Sequence, residues 1–168
     1  MTKIVELCGF VMTGALLFGC VTEDATGEVE QLTAGSGAVA TTLSNVTFGD
    51  GEFQVKWNGF ISKVKGPTNV ISQQIVVAPG GHTGWHTHPG PVFVSVATGA
   101  MSVYYATSPC SGATYPAGTG FLDPGGTNTH IARNLSDVPA TLNVQYIVPT
   151  GSAPRIDQPA PAGADSCP

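Results

Sequence analysis

Basic side chains are scarce in this chain, with six Lys and Arg among 168 residues against eleven Asp and Glu. They form no cluster, and a surface that neutralises a phosphate backbone needs one, so the composition argues against a nucleic-acid partner. Glutamate is missing altogether after Glu52. No stretch beyond the first 19 residues has the 3.6-residue period of an amphipathic helix, which argues against a helical fold. Also missing are a Gly-x-Ser-x-Gly elbow and a Cys-His pair with nucleophile spacing, so hydrolysis by an activated Ser or Cys is disfavoured. The Gly-rich stretch 124–127 lacks the Lys and helix of a phosphate loop.

What the chain does have is glycine (22) and proline (13), placed between short apolar runs. That is how an all-β protein with many tight turns reads, and the length suits one domain with a real core. Candidate strands cover residues 45–48, 53–60, 70–78, 84–88, 92–97, 101–106, 114–116, 120–123, 129–134 and 141–148. Gly49-Asp50-Gly51 and Thr98-Gly99-Ala100 are the expected hairpin turns. The predicted class is a β-sandwich or β-barrel, and periodicity alone does not choose between them.

The N-terminus looks like an export signal. Lys3 precedes an apolar or small run over residues 7–19, too short for a bilayer span of ~20 residues. Leu17-Phe18-Gly19-Cys20 resembles the bacterial lipoprotein signal, which implies lipidation of Cys20. The expected layout is a signal at 1–19, a flexible tether at 20–40, one domain at 41–150 and an extended tail at 151–168. Contact with a membrane would come only through the lipid. In an oxidising extracytoplasmic compartment, Cys110 and Cys167 remain as a candidate disulfide, stabilising by about 3–4 kcal/mol on the chain-entropy model.

Four histidines are present: His82, His86, His88 and His130. His86 and His88 stand two apart, so on a strand both rings project from one face, with Cα atoms about 7 Å apart. At that separation two imidazoles can converge on one ion at bond lengths of ~2.1 Å. Gly80 stands six positions before His86, and Gly99 eleven after His88. Further on, Gly118 leads through five residues to Pro124-Gly125-Gly126, then three residues to His130 and three more to Asn134.

These two patterns resemble the two signature motifs of the cupin superfamily, G-x5-H-x-H-x3-4-E-x6-G and G-x5-P-x-G-x2-H-x3-N. The resemblance covers roughly residues 70–148. It implies a double-stranded β-helix, or cupin jelly-roll barrel. It also implies that His86, His88 and His130 meet around a divalent metal ion inside it. There are two departures: Val92 stands where the family has a Glu ligand, and one extra residue separates Gly126 from His130. His82 and Asp123 are the candidates for an outer or fourth ligand. Imidazole ligands suit Fe, Zn, Mn, Ni or Cu without choosing among them. Three neutral imidazoles leave the ion its +2 charge and at least one open position, which favours a small polar or anionic ligand. The resemblance thus points to a metal-dependent dioxygenase, lyase or isomerase, or to a non-catalytic module that binds a small ligand or sugar. Cupins often pair through strand edges, which makes a homodimer an expected assembly.

Around the site, Val92, Val94 and Val96 share a parity. If Val92 keeps the inward direction of the family's Glu, they line the cavity while Phe93 faces away. Of the adjacent Tyr104 and Tyr105 one faces inward, and Tyr104 is the candidate for the pocket. Trp85 should face away from His86 and pack. Asn134 should fix a turn through its amide. Arg133 is a surface residue with no assigned ligand.

Overall fold

The computed structural model describes residues 32–49 and 52–164. The expected signal segment with Cys20, and also Cys167, lie outside the described residues. Twelve strands form: β1 (Ser36–Phe48), β2 (Phe53–Trp57), β3 (Phe60–Val64), β4 (Thr68–His82), β5 (His86–Thr87), β6 (Val92–Thr98), β7 (Ala100–Tyr105), β8 (Ser108–Pro116), β9 (Gly120–Asp123), β10 (His130–Arg133), β11 (Ala140–Pro149) and β12 (Ile156–Asp157).

All the pairings are antiparallel; β2 and β3 pair only with each other, and the other ten strands form one sheet whose pairings fall into two runs. One is β1-β4-β11-β6-β9, and the other is β8-β7-β10-β5-β12. They join where Arg133 of β10 pairs with His82 at the end of β4. This near-closed arrangement is the expected double-stranded β-helix.

Burial follows the two-residue period that a half-buried strand requires. In β6, Val92, Val94 and Val96 are buried while Phe93 and Ser95 are exposed. In β11, Leu142, Val144, Tyr146 and Val148 face in. These side chains meet Ile71 and Val77 of β4 and Met101 and Val103 of β7 in one core. β7 departs from simple alternation, because Met101, Ser102, Val103 and Tyr104 are all buried. Its outer face is covered as well, by a second cluster of Trp85, Tyr104, Ile131 and Ala164. Trp85 therefore packs away from His86, as expected.

Asn134 ties the strand ends together. Its amide nitrogen donates to the Val77 and Val138 carbonyls, and its oxygen accepts from Ser136 N and Oγ.

Several boundaries differ from the sequence reading. Residues 36–40, expected in the tether, belong to β1, whose register with β4 runs from Ser36↔His82 to Phe48↔Thr68. Nearly all of β1 is exposed, so it shows no alternation to read. Residues 53–60 are not one strand. The chain turns at Asn58-Gly59, where both φ values are positive (40° and 88°). That is the Asn-Gly signal of a two-residue hairpin, and it pairs β2 with β3. β4 runs on through Pro79-Gly80-Gly81 to His82.

Cys110 lies in β8 rather than in a loop. The tail, expected as an extended segment, supplies one short strand: β12 pairs with β5 through Ile156↔Thr87 and Asp157↔His86. Gln158 N donates to Trp85 O, and Thr33 N donates to Gln158 O. Both ends of the described chain are thus laced over β5.

Candidate metal centre

The short strand β5 carries His86, with His88 just beyond it, and β10 carries His130. His130 lies directly across the ladder from His86 on one side and from Tyr105 on the other. Opposed residues on one face of a sheet have Cβ atoms about 5 Å apart. The ring centroids accordingly lie at 4.3 Å for His86–His130, 4.8 Å for His86–His88 and 5.2 Å for His88–His130. All three rings are buried, and each offers a ring nitrogen within 4.8 Å of the other two.

The motif glycines make this approach fit. Gly125 has φ +75°, and a Cβ there would run into the Gly90 carbonyl. Beside it, Gly126 N donates to the His88 carbonyl at 2.8 Å. The two motifs therefore touch backbone to backbone, which a side chain at Gly125 would prevent.

Each ring is held from behind through Nδ1. The acceptors are main-chain carbonyls: Gly84 O for His86 at 2.8 Å, Pro154 O for His88 at 2.7 Å and Asn128 O for His130 at 3.0 Å. A carbonyl can only accept, so Nδ1 must carry the hydrogen, and in a neutral ring Nε2 then keeps its lone pair. Three neutral imidazoles in one tautomer are thus turned toward one point. This donor set fits a divalent ion. Tetrahedral bonds of ~2.1 Å would draw the three nitrogens to about 3.4 Å apart, an inward turn of the rings.

The electrostatics favour the neutral rings. Burial, then the neighbouring His130, pushes His86 down to about 2. Burial also lowers His88, to about 4, against the opposing pull of its bond to Pro154 O.

Asp123 stands behind this arrangement. It is fully buried, and its Oδ2 lies 3.1 Å from His130 Nδ1. Its Oδ1 accepts from Gly125 N at 2.6 Å and its Oδ2 from Asn128 Nδ2 at 2.8 Å. Asp123 therefore sits behind His130, on its Nδ1 side, and outside the three-histidine group. Such carboxylate–histidine pairs orient the ring and raise its basicity. Val92, at the family's Glu position, lies directly across from Asp123 in β9. The remaining carboxylate is thus one strand away from where the motif would put it. His82 is outside the group, with its Nδ1 accepting from Gly84 N at 3.1 Å.

A cavity of about 400 Å³ borders two of the three histidines, and its lining includes Gln73, Ile75, His86, His88, Tyr146 and Arg155 but not His130. Val92 and Val94 face inward but pack in the core and do not line it. Tyr104 also differs from expectation, since it lies in the outer cluster. The tyrosines near the site are Tyr105, with its ring 6.0 Å from that of His130, and Tyr146, 5.5 Å from His88. Burial raises Tyr146 to about 12. The parity of β11 could have found Tyr146; nothing periodic marked Arg155.

No protein-family model matches the chain, and no curated protein matches it. Solved structures similar to it include a cupin domain from Bordetella pertussis Tohama I, at 20% identity over 66% of this chain and 93% of that one, with a TM-score of 0.45. A Cupin_2 domain of an XRE-family transcriptional regulator from Enterobacter cloacae is similar at 17% identity, over 67% and 97% of the two chains, with a TM-score of 0.43. An oxalate oxidase in complex with the substrate analogue glycolate is similar at 22% identity over 52% of this chain and 45% of that one, with a TM-score of 0.45. Two antiparallel five-strand runs joined at Arg133 and His82, with the two histidine motifs meeting at the paired strands β5 and β10, give this chain the cupin fold.

Proposed function

We propose that the chain holds one divalent metal ion on Nε2 of His86, His88 and His130 and uses it as a dioxygenase, lyase or isomerase on a small polar or anionic molecule. One observation carries this reading. All three rings have Nδ1 committed to main-chain carbonyls, which leaves three lone pairs aimed at a common point. When bound, such an ion supplies Lewis acidity or oxygen activation with an open position for substrate. The chain's own residues do the rest. Asp123 and Asn128 O hold the His130 ring, Pro154 O holds His88, and the rim of the cavity admits a small molecule.

A second reading, a non-catalytic module binding a small ligand or sugar, is favoured by one feature. No carboxylate belongs to the ligand group, and Asp123 is turned to the back of His130. Oxygen consumption by iron-loaded protein against a panel of enolic and aromatic acids separates the two. Uptake with one of them supports the enzyme, and tight binding without turnover supports the module.

We also place the protein outside the cytoplasm, on the strength of the N-terminal pattern. Intact-mass measurement of membrane-extracted protein should show a lipid on Cys20 and a bridge between Cys110 and Cys167. A mass matching the unprocessed, reduced chain would refute this.

A further inference from the structure

The tail that crosses β5 brings one cation to the cavity. Arg155 lies between Pro154, whose carbonyl accepts from His88 Nδ1, and Ile156, which pairs with Thr87. Both its neighbours in sequence are therefore pinned to the histidine-bearing segment. Among the described residues lining the cavity only Arg155 and Asp157 are charged. They stand two apart on the strap, as residues on one face of an extended segment do.

Arg155 Nε donates to Asp157 Oδ1 at 2.6 Å. That bond orients the guanidinium and uses one of its five N–H groups, and the two terminal amino groups have no hydrogen bond to another described residue. Their paired N–H bonds form the fork that matches a carboxylate.

A divalent ion on three neutral imidazoles brings +2 to the same cavity, and the Arg155–Asp157 pair adds nothing net. An anionic ligand would offset that charge.

We propose that Arg155 is the specificity residue of this cavity, and that its ligand is a small carboxylate with a second oxygen for the metal. The inference rests on the metal-centre reading above. The guanidinium would take the carboxylate end, while the histidine-bound ion takes the other oxygen. Gln73 and Tyr146, also on the wall, are polar and uncharged at neutral pH and leave the selection of charge to Arg155.

The test uses the chain loaded with cobalt(II), whose visible bands report a new ligand on the ion. Malonate is the anionic probe, and malonamide is its uncharged counterpart. Arg155→Met should bind cobalt with the same stoichiometry as the unaltered chain but bind malonate roughly ten- to a hundredfold more weakly. Arg155→Lys should fall between the two, because it keeps the charge and loses the fork. Malonamide binding should not respond to either substitution. Unchanged malonate affinity in Arg155→Met would overturn the proposal and leave the metal centre standing. So would a cobalt-loaded unaltered chain that ignores malonate, or loss of cobalt from Arg155→Met alone. Failure of the unaltered chain to bind cobalt would overturn the metal reading, and this inference with it.

Discussion

Two imidazoles kept neutral by burial should make the metal-free protein lose stability as the pH falls. His86 titrates at about 2 and His88 at about 4 in the folded chain, well below the ordinary 6.5. The unfolded chain takes up two protons as the pH drops through 6.5, and the folded chain takes up neither until far lower. Stability therefore falls with pH, beginning near 6.5 and levelling off only below the folded values. Between about pH 7.5 and about pH 5 each ring should contribute a loss of about 2 kcal/mol, or ~4 kcal/mol for the pair. That is a large part of the 5–15 kcal/mol typical of a domain.

The assay is urea unfolding of chelator-treated protein at the two pH values, beside a His86→Gln/His88→Gln variant. The variant lacks the two titrating rings, so the difference between the proteins isolates them from every other group. Parallel pH dependence in the two would refute the account, because it would mean these rings meet solvent freely.

Other predictions follow from the same geometry. His88→Ala should abolish metal binding while far-UV circular dichroism stays unchanged, since the core is built mostly from strand packing; metal content equal to that of the unaltered chain would contradict the ligand set. Asp123→Ala should weaken metal binding by about 10–100-fold in a competition titration with a chelator, because His130 loses its carboxylate and the Gly125 and Asn128 donors lose their acceptor. Asn134→Ala should destabilise the fold by about 2–4 kcal/mol in urea, since the Val77 and Val138 carbonyls are stranded together.

Much of the site could be read from the sequence because its logic is local. The spacing of His86 and His88 fixes a shared face on any strand, and the Pro124-Gly125-Gly126 turn sets His130 on the next one. The alternation of Val92, Val94 and Val96 likewise fixed which side of β6 is the core. Other features carried no periodic trace. A two-residue strand between prolines and polar residues gave no sign of β12, so Arg155 was not expected at the rim. Residues 36–40 are small and, apart from half-buried Ala38, exposed, and such residues read as linker. Tyr104 was misassigned because the outer face of β7 is also buried, and burial then no longer reports direction. The Asn58-Gly59 turn is legible in principle as an Asn-Gly hairpin signal, while the expected turn at Asp50 lies outside the described residues.

The central claim is that three imidazoles from two separate stretches share one ion. An anomalous-difference map from crystals of untagged, metal-reconstituted protein tests it most directly. The account predicts one peak at bonding distance from Nε2 of His86, His88 and His130, with Asp123 on the far side of the third ring. No peak at that point, or a peak bound by His82 or Asp123 in place of any of the three, would contradict it.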